Sequence, residues 1–215
     1  MRRFAAYGLA QLGSRAQAAQ NALLKQLKDN DPGARIAAAG AYWSVTGKSA
    51  DPVRVLRDVL RVSDGWTTQM WAANELANIG PEASAAVDEL IACLGSETEH
   101  VVTSAAGALG RIGPNAKAAL PTLIVRLESS DDAHTRACVA RALWQIDRWE
   151  SSPGILQDLL AEGSNSMALS EGSKALGEMG AAAKAAVPLL RPLLMHGDSY
   201  VREAAAKALR QIEGE

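Results

Sequence analysis

The chain has 215 residues, a formal net charge of −2 and only 4% aromatic residues. This near-neutral charge gives no electrostatic reason to expect nucleic acid or an anionic membrane as partner, because both attract concentrated Lys and Arg. No apolar run approaches the roughly 18 residues of a membrane-spanning helix, and the amino-terminal residues lack the apolar core of a signal peptide. We therefore expect a cytoplasmic protein.

One sequence motif recurs along the whole chain every 33 or 34 residues. A small residue is followed by an aliphatic residue, two variable positions, a second aliphatic residue and a helix stop, as in Ala208-Leu209-Arg210-Gln211-Ile212-Glu213. Such a period is typical of solenoids, in which each repeat buries its apolar face only against its neighbours. The sequence therefore predicts a single array over 1–215, made of a half repeat at 1–13 and repeats 14–46, 47–80, 81–113, 114–147, 148–180 and 181–213.

Each full repeat is predicted to contain a first helix and a second helix, and the array begins with a lone second helix at 2–12. The first helices are expected at about 16–28, 50–62, 82–95, 115–129, 152–162 and 182–196, and the second helices at about 32–45, 65–79, 98–112, 133–146, 166–179 and 199–212. Residue types that favour a helix N-cap precede the second helices at Asp31, Gly65, Thr98, Asp132, Asn165 and Asp198. Glycines in the left-handed conformation are expected to end four of them, at Gly13, Gly80, Gly113 and Gly180.

Catalytic chemistry is not indicated by the sequence. His100 and His134 occupy equivalent positions in neighbouring repeats, roughly 10 Å apart, whereas nitrogen ligands of one zinc ion lie about 2.0–2.1 Å from it. Cys93 and Cys138 fall in helices of different repeats, where buried free thiols are favoured and a disulfide stays open. We find no set of nucleophile, base and orienting group, so we expect no enzymatic activity and no cofactor or metal.

With the repeats aligned, the chain resembles HEAT repeats of the variety first noted in phycobilisome lyases and common in bacterial proteins. The resemblance is clearest in Ala186-Val187-Pro188-Leu189-Leu190, followed by Asp198, Val201 and Arg202. It implies an all-α fold, a right-handed α-solenoid (superhelix) of antiparallel helix pairs. It also implies that Pro121 and Pro188 bend their first helices. A structural ladder of Asp and Arg side chains would link adjacent repeats through the pairs Asp31 and Arg35, Asp132 and Arg136, and Asp198 and Arg202.

The outward stripe of the second helices, called here the second-helix face, is the expected binding surface because second helices usually line the concave side of such arrays. Its candidate partner-binding residues are Trp71, Asn74, Asn78, His100, Arg111, His134, Arg141, Gln145 and Lys174. This mixture of hydrogen-bonding groups with one aromatic side chain suits a protein or peptide better than a polyanion. A merely solvated helix face is the open alternative.

The sequence thus favours a non-catalytic scaffold that mediates protein–protein interaction. The alternative is a C-terminal structural repeat region of a larger bacterial enzyme, such as a sulfatase or another hydrolase; a HEAT-like DNA-modifying enzyme or bilin lyase ranks third. At the amino-terminal edge, Phe4 and Leu9 lack half of the cover that a preceding first helix would give. We expect this edge to contact a preceding domain or a second copy of the chain.

Overall fold

The computed structural model describes residues 2–62 and 65–214, and all regular secondary structure within them is helical. The predicted all-α repeat fold is therefore confirmed. In chain order the α-helices are α1 Arg2–Leu12, α2 Gln20–Gln26, α3 Pro32–Thr46, α4 Ala50–Val62, α5 Trp66–Ile79, α6 Val87–Cys93, α7 Glu99–Ile112, α8 Leu120–Ser129, α9 Ala133–Asp147, α10 Ser152–Ala161, α11 Ser166–Met179, α12 Val187–Leu193 and α13 Ser199–Glu213. Odd-numbered helices are second helices, and even-numbered helices are first helices. None of these helices is both long and apolar enough to cross a bilayer.

The second helices begin where the cap residues predicted. All six predicted N-caps occupy that position, with extended backbone conformations. Four of them accept a hydrogen bond from a backbone amide of the first turn through their side chains: Asp31, Asp132, Asn165 and Asp198. Gly65 and Thr98 make no such bond. Local capping chemistry therefore sets the boundary of the four helices whose cap bonds form, because such a bond involves only the cap residue's side chain and the next turn.

Four first helices do not begin as α-helices. Each is preceded by a 3-10 segment, at Gly13–Ala19, Gly80–Ala86, Gly113–Ala119 and Gly180–Ala186. Three of these segments contain a break at a buried alanine, as at Ala183 (φ −101°, ψ 16°). The expectation that Pro121 and Pro188 bend the first helices was wrong, since the breaks lie before both prolines and Ala16 has the same break before a first helix that contains no proline.

The predicted glycine stops have positive φ, but most are not in the left-handed helical conformation. Gly80, Gly113 and Gly180 combine positive φ with ψ between −128° and −141°. A side chain is not tolerated in this region, so these positions require glycine. The left-handed helical conformation occurs instead at Gly47, Arg148 and Gly214.

The chain divides into two compact bodies, an N-terminal body of Met1–Ala119 and a C-terminal body of Leu120–Glu215. Within the N-terminal body, helices α1, α3, α5 and α7 pack side by side in sequence, and within the C-terminal body α9, α11 and α13 do the same. The alanines on the packed faces are almost fully buried. Because their side chains are small, the helix axes can approach closely. Each body therefore presents its own portion of the second-helix face.

Candidate functional site

In the N-terminal body, the candidate residues of the second-helix face lie on α5 and α7. Asn74, Asn78, His100 and Arg111 are exposed, as the sequence predicted for a binding surface, and Trp71 is half-buried. His100 stacks on Trp66, with ring centroids 5.7 Å apart and planes inclined by 30°. This stacking fixes the imidazole at the start of α7.

Trp71 is joined to α1 by a cation–π contact. The guanidinium carbon of Arg3 lies 5.6 Å from the Trp71 ring centroid. The same guanidinium donates two hydrogen bonds to Asp31, 2.8 Å from Nε to Oδ2 and 2.6 Å from Nη2 to Oδ1. The hydrogen bonds from Arg3 lower the pKa of Asp31. Gly33 leaves the space for this arrangement, because a Cβ there would lie 2.3 Å from the Arg3 guanidinium carbon.

In the C-terminal body, two of the predicted binding residues are already engaged. Arg141 on α9 pairs with Glu171 on α11, and its Nε lies 3.7 Å from Oε2 of Glu178. Gln145 donates from Nε2 to the same Glu178 oxygen over 2.7 Å. Only 19% of the Arg141 side chain is exposed. Arg141 and Gln145 therefore link α9 to α11.

Lys174 and His134 border open depressions between α9, α11 and α13. One depression, of about 240 Å³, includes Lys174, Glu178, Lys207 and Gln211. A second, of about 210 Å³, includes His134, Met167, Glu171 and Lys174. Both share Ser170, Lys174 and Tyr200, so they form one continuous surface, called here the α11–α13 groove. Tyr200 is 75% exposed and Met167 is 60% exposed.

The sequence analysis did not select Tyr200, Met167 or Glu75, although the repeat alignment contained a signal for each. Tyr200 and Met167 stand at the same repeat position as His134 and His100, which were selected. Glu75 stands where the other second helices have alanine or glycine, at Gly8, Ala41, Ala108, Ala142, Ala175 and Ala208. A charged residue at a position of small buried residues was the recognisable anomaly.

The implied Asp–Arg ladder takes a different form. Arg35 donates to the backbone carbonyls of Asp29 and Asn30, and Arg202 donates to those of His196 and Gly197. These arginines therefore fasten the link between the two helices of their own repeat instead of pairing with the aspartates. Asp132 and Asp198 serve as caps, and Arg136 holds the same repeat position as Arg35 and Arg202. Asp31 does bond across repeats, but to Arg3.

At the amino-terminal edge, the two residues selected from the sequence differ in exposure. Phe4 is 79% exposed, whereas Leu9 is half-buried against a cluster that includes Ala6, Tyr42 and Val45. The repeats that follow thus cover Leu9 in part and leave Phe4 uncovered.

Among the described residues, one thiol lies next to an imidazole, but the thiols are buried and no metal-ligating cluster forms. Burial raises the pKa of Cys93 to about 11 and also raises that of Cys138, so both thiols resist ionisation. Both cysteines are free, as favoured from the sequence. Nε2 of His134 lies 3.6 Å from Sγ of Cys138. In the described part of the chain, no group of three His, Cys, Asp or Glu side chains is arranged to hold a metal ion.

Stacked helical pairs and a polar second-helix face define the class as an all-α repeat protein. Models of HEAT repeats match residues 53–143 and 186–212. The chain belongs to the HEAT-repeat family.

Solved structures resemble this chain over nearly its whole length. One is an engineered protein of the Northeast Structural Genomics Consortium, with 24% identity, a TM-score of 0.55 and coverage of 91% of this chain and 99% of that chain. Another is the complex of CpcE and CpcF of phycocyanin lyase from Nostoc sp. PCC7120, with 21% identity, a TM-score of 0.59 and coverage of 97% of this chain and 88% of that one. No curated protein sequence matches significantly. At these identities the likeness establishes the fold alone.

Proposed function

We propose that this protein is a non-catalytic scaffold that binds a partner polypeptide through its second-helix face. The observation that supports this most directly is the α11–α13 groove, where an exposed aromatic side chain and an exposed methionine border an open depression that also contains charged side chains. Tyrosine is enriched among residues that dominate binding energy, because it offers a large rigid surface and a hydroxyl group. Methionine adapts its shape to a partner.

The charges of the groove favour a polypeptide over a polyanion. Lys174 and Lys207 stand among four carboxylates, Glu171, Glu178, Glu203 and Asp198, so the groove carries both signs without an excess of positive charge. A uniform polyanion such as duplex DNA binds through concentrated positive charge, whereas a peptide backbone and mixed side chains can pair with both signs and with Gln211. Arg141 and Gln145 support this surface by fixing Glu171 and Glu178.

The experiment selects binders from a random peptide library displayed on phage, using the intact chain as bait. Synthetic copies of the selected peptides are then titrated against the parent protein, Tyr200→Ala and Lys174→Ala. Tyr200→Ala is expected to weaken binding about tenfold or more, in the range of an interface hot spot. Met195→Ala is the matched control, because Met195 is 88% exposed and lies outside the α11–α13 groove.

Two results would contradict the proposal. In the first, no peptide binds saturably. In the second, peptides bind all three variants as they bind the parent, which would place the interface elsewhere, for example in the groove of about 480 Å³ that Lys25, Arg35, Asp51 and Arg54 border on the first-helix side. Arg141→Ala is unsuitable as a binding probe, since removal of this largely buried link would also lower stability.

A further inference from the structure

Glu75 on α5 rests in a notch on α3. An ideal Cβ at Gly40 would lie 2.4 Å from Oε2 of Glu75 and 2.8 Å from its Cδ, distances that real atoms do not tolerate. The carboxylate therefore occupies the space that a side chain at residue 40 would fill. The only hydrogen bond described for it comes from Nδ2 of Asn78, over 3.3 Å. Gly40 and Glu75 thus form a matched pair across the two helices.

This carboxylate is unusual in both position and surroundings. The corresponding alanines Ala41, Ala108, Ala142 and Ala175 are at most 1% exposed. Placing a carboxylate there costs desolvation energy, and burial raises the pKa of Glu75. Among the described residues, no lysine or arginine forms an ion pair with it. Glu75 is half-buried as a residue and Asn78, which bonds to it, is exposed, so the notch borders solvent.

An aromatic residue on the same helix as Glu75 completes the chemistry of the notch. Trp71 lies four residues before Glu75 on α5, so the two side chains share a helix face. Arg3 touches the Trp71 ring, but its guanidinium is bonded at two atoms to Asp31 and so does not neutralise Glu75. An indole on the same helix face as a carboxylate without an ion-pair partner suits a side chain with an apolar stem and a cationic end, since the stem can pack on the ring while the cation meets the carboxylate.

We infer that the notch formed by Gly40, Trp71, Glu75 and Asn78 binds a lysine or arginine side chain of the partner polypeptide. The inference rests on the proposed function, because it names the chemistry of the partner that the second-helix face of the N-terminal body takes. The charges are complementary, because no described lysine or arginine pairs with Glu75 and a basic side chain of the partner would supply that cation. A single carboxylate with one amide is too sparse a donor set for a divalent metal, which takes about six oxygen ligands.

The test uses nuclear magnetic resonance on the intact ¹⁵N-labelled chain. The probes are N-acetyl-lysine methylamide and N-acetyl-arginine methylamide, and the uncharged norleucine counterpart is the ligand control. We expect saturable shifts of the Gly40 amide and the Trp71 indole with the two cationic probes and not with norleucine. Glu75→Gln should weaken the lysine and arginine effects about tenfold or abolish them.

Glu128→Gln is the matched protein control, because Glu128 is an exposed carboxylate on α8, outside the notch. Glu75→Ala, which installs the residue used by most other repeats, serves if Glu75→Gln fails to fold. Absence of saturable shifts at Gly40 and Trp71, or equal shifts in Glu75→Gln, would overturn the inference. Phage-selected peptides that need Tyr200 but not Glu75 would uphold the proposed function while this inference fails, so the two failures are distinguishable.

Discussion

Glycines in the second helices face different neighbours, and this difference predicts the effect of adding one methyl group. At Gly177 on α11, an ideal Cβ would lie 2.8 Å from the Cα of Ala208 and 3.2 Å from its Cβ, both on α13. At Gly172 on the same helix, the clash at 2.8 Å involves only a terminal methyl of Leu160. At Gly107 on α7, the described residues place no atom within 4 Å of such a Cβ, apart from the local backbone of α7 itself.

Replacing a helical glycine with alanine raises the free energy of unfolding by about 0.8–1.0 kcal/mol through helix propensity alone. Gly107→Ala should therefore be stabilised by about that amount. Gly172→Ala should lose some of the gain, since turning Leu160 off its rotamer costs about 0.5–1.5 kcal/mol. Gly177→Ala must separate α11 from α13, and overpacking of this kind costs about 1–3 kcal/mol. The propensity gain is common to all three, so the difference in the free energy of unfolding between Gly107→Ala and Gly177→Ala should be about 1–3 kcal/mol.

Urea denaturation followed by far-ultraviolet circular dichroism measures these differences, and Gly172→Ala keeps the comparison with Gly177→Ala within one helix. The expected order of stability is Gly107→Ala, then Gly172→Ala, then Gly177→Ala. A Gly177→Ala protein as stable as Gly107→Ala would refute the close approach of α11 and α13.

Three further predictions concern caps, the half-buried Glu75 and the thiols. Asp132→Ala should lower the free energy of unfolding by about 1 kcal/mol through loss of its cap bond, whereas Thr98→Ala, which removes no such bond, should change it little in the same urea titration. Burial raises the pKa of Glu75, so the folded chain holds this proton more tightly than the unfolded chain. The stability of the parent relative to Glu75→Gln should therefore fall as the pH rises above about 4.3, the unfolded value, and parallel profiles would contradict this. Cys93 and Cys138 should react with a disulfide reagent about a hundredfold more slowly in the native chain than in denaturant; equal rates would show that they are accessible.

The starts of the second helices could be predicted from the sequence, whereas the form of the segments that precede the first helices could not. Asp132 and Asn165 marked the starts of α9 and α11 because a cap bond forms within one turn. By contrast, residues 182–186 were expected to begin the first helix but belong to the 3-10 segment Gly180–Ala186, since their alanine-rich composition is compatible with both forms. The break at Ala183 lies in the connection between α11 and α12. Local helix propensity does not encode the backbone conformation that this connection needs.

The sequence by itself determined the repeat period, the alternation of first and second helices and the N-caps, because these depend on residues within a few positions of one another. Tertiary structure alone decided which polar residues of the second-helix face are available. Arg141 and Lys174 look alike in the alignment, yet Arg141 is held by Glu171 while Lys174 stays exposed. Only helix stacking brought Glu75 against Gly40, since the contact joins residues of adjacent repeats whose fit depends on the distance between helix axes.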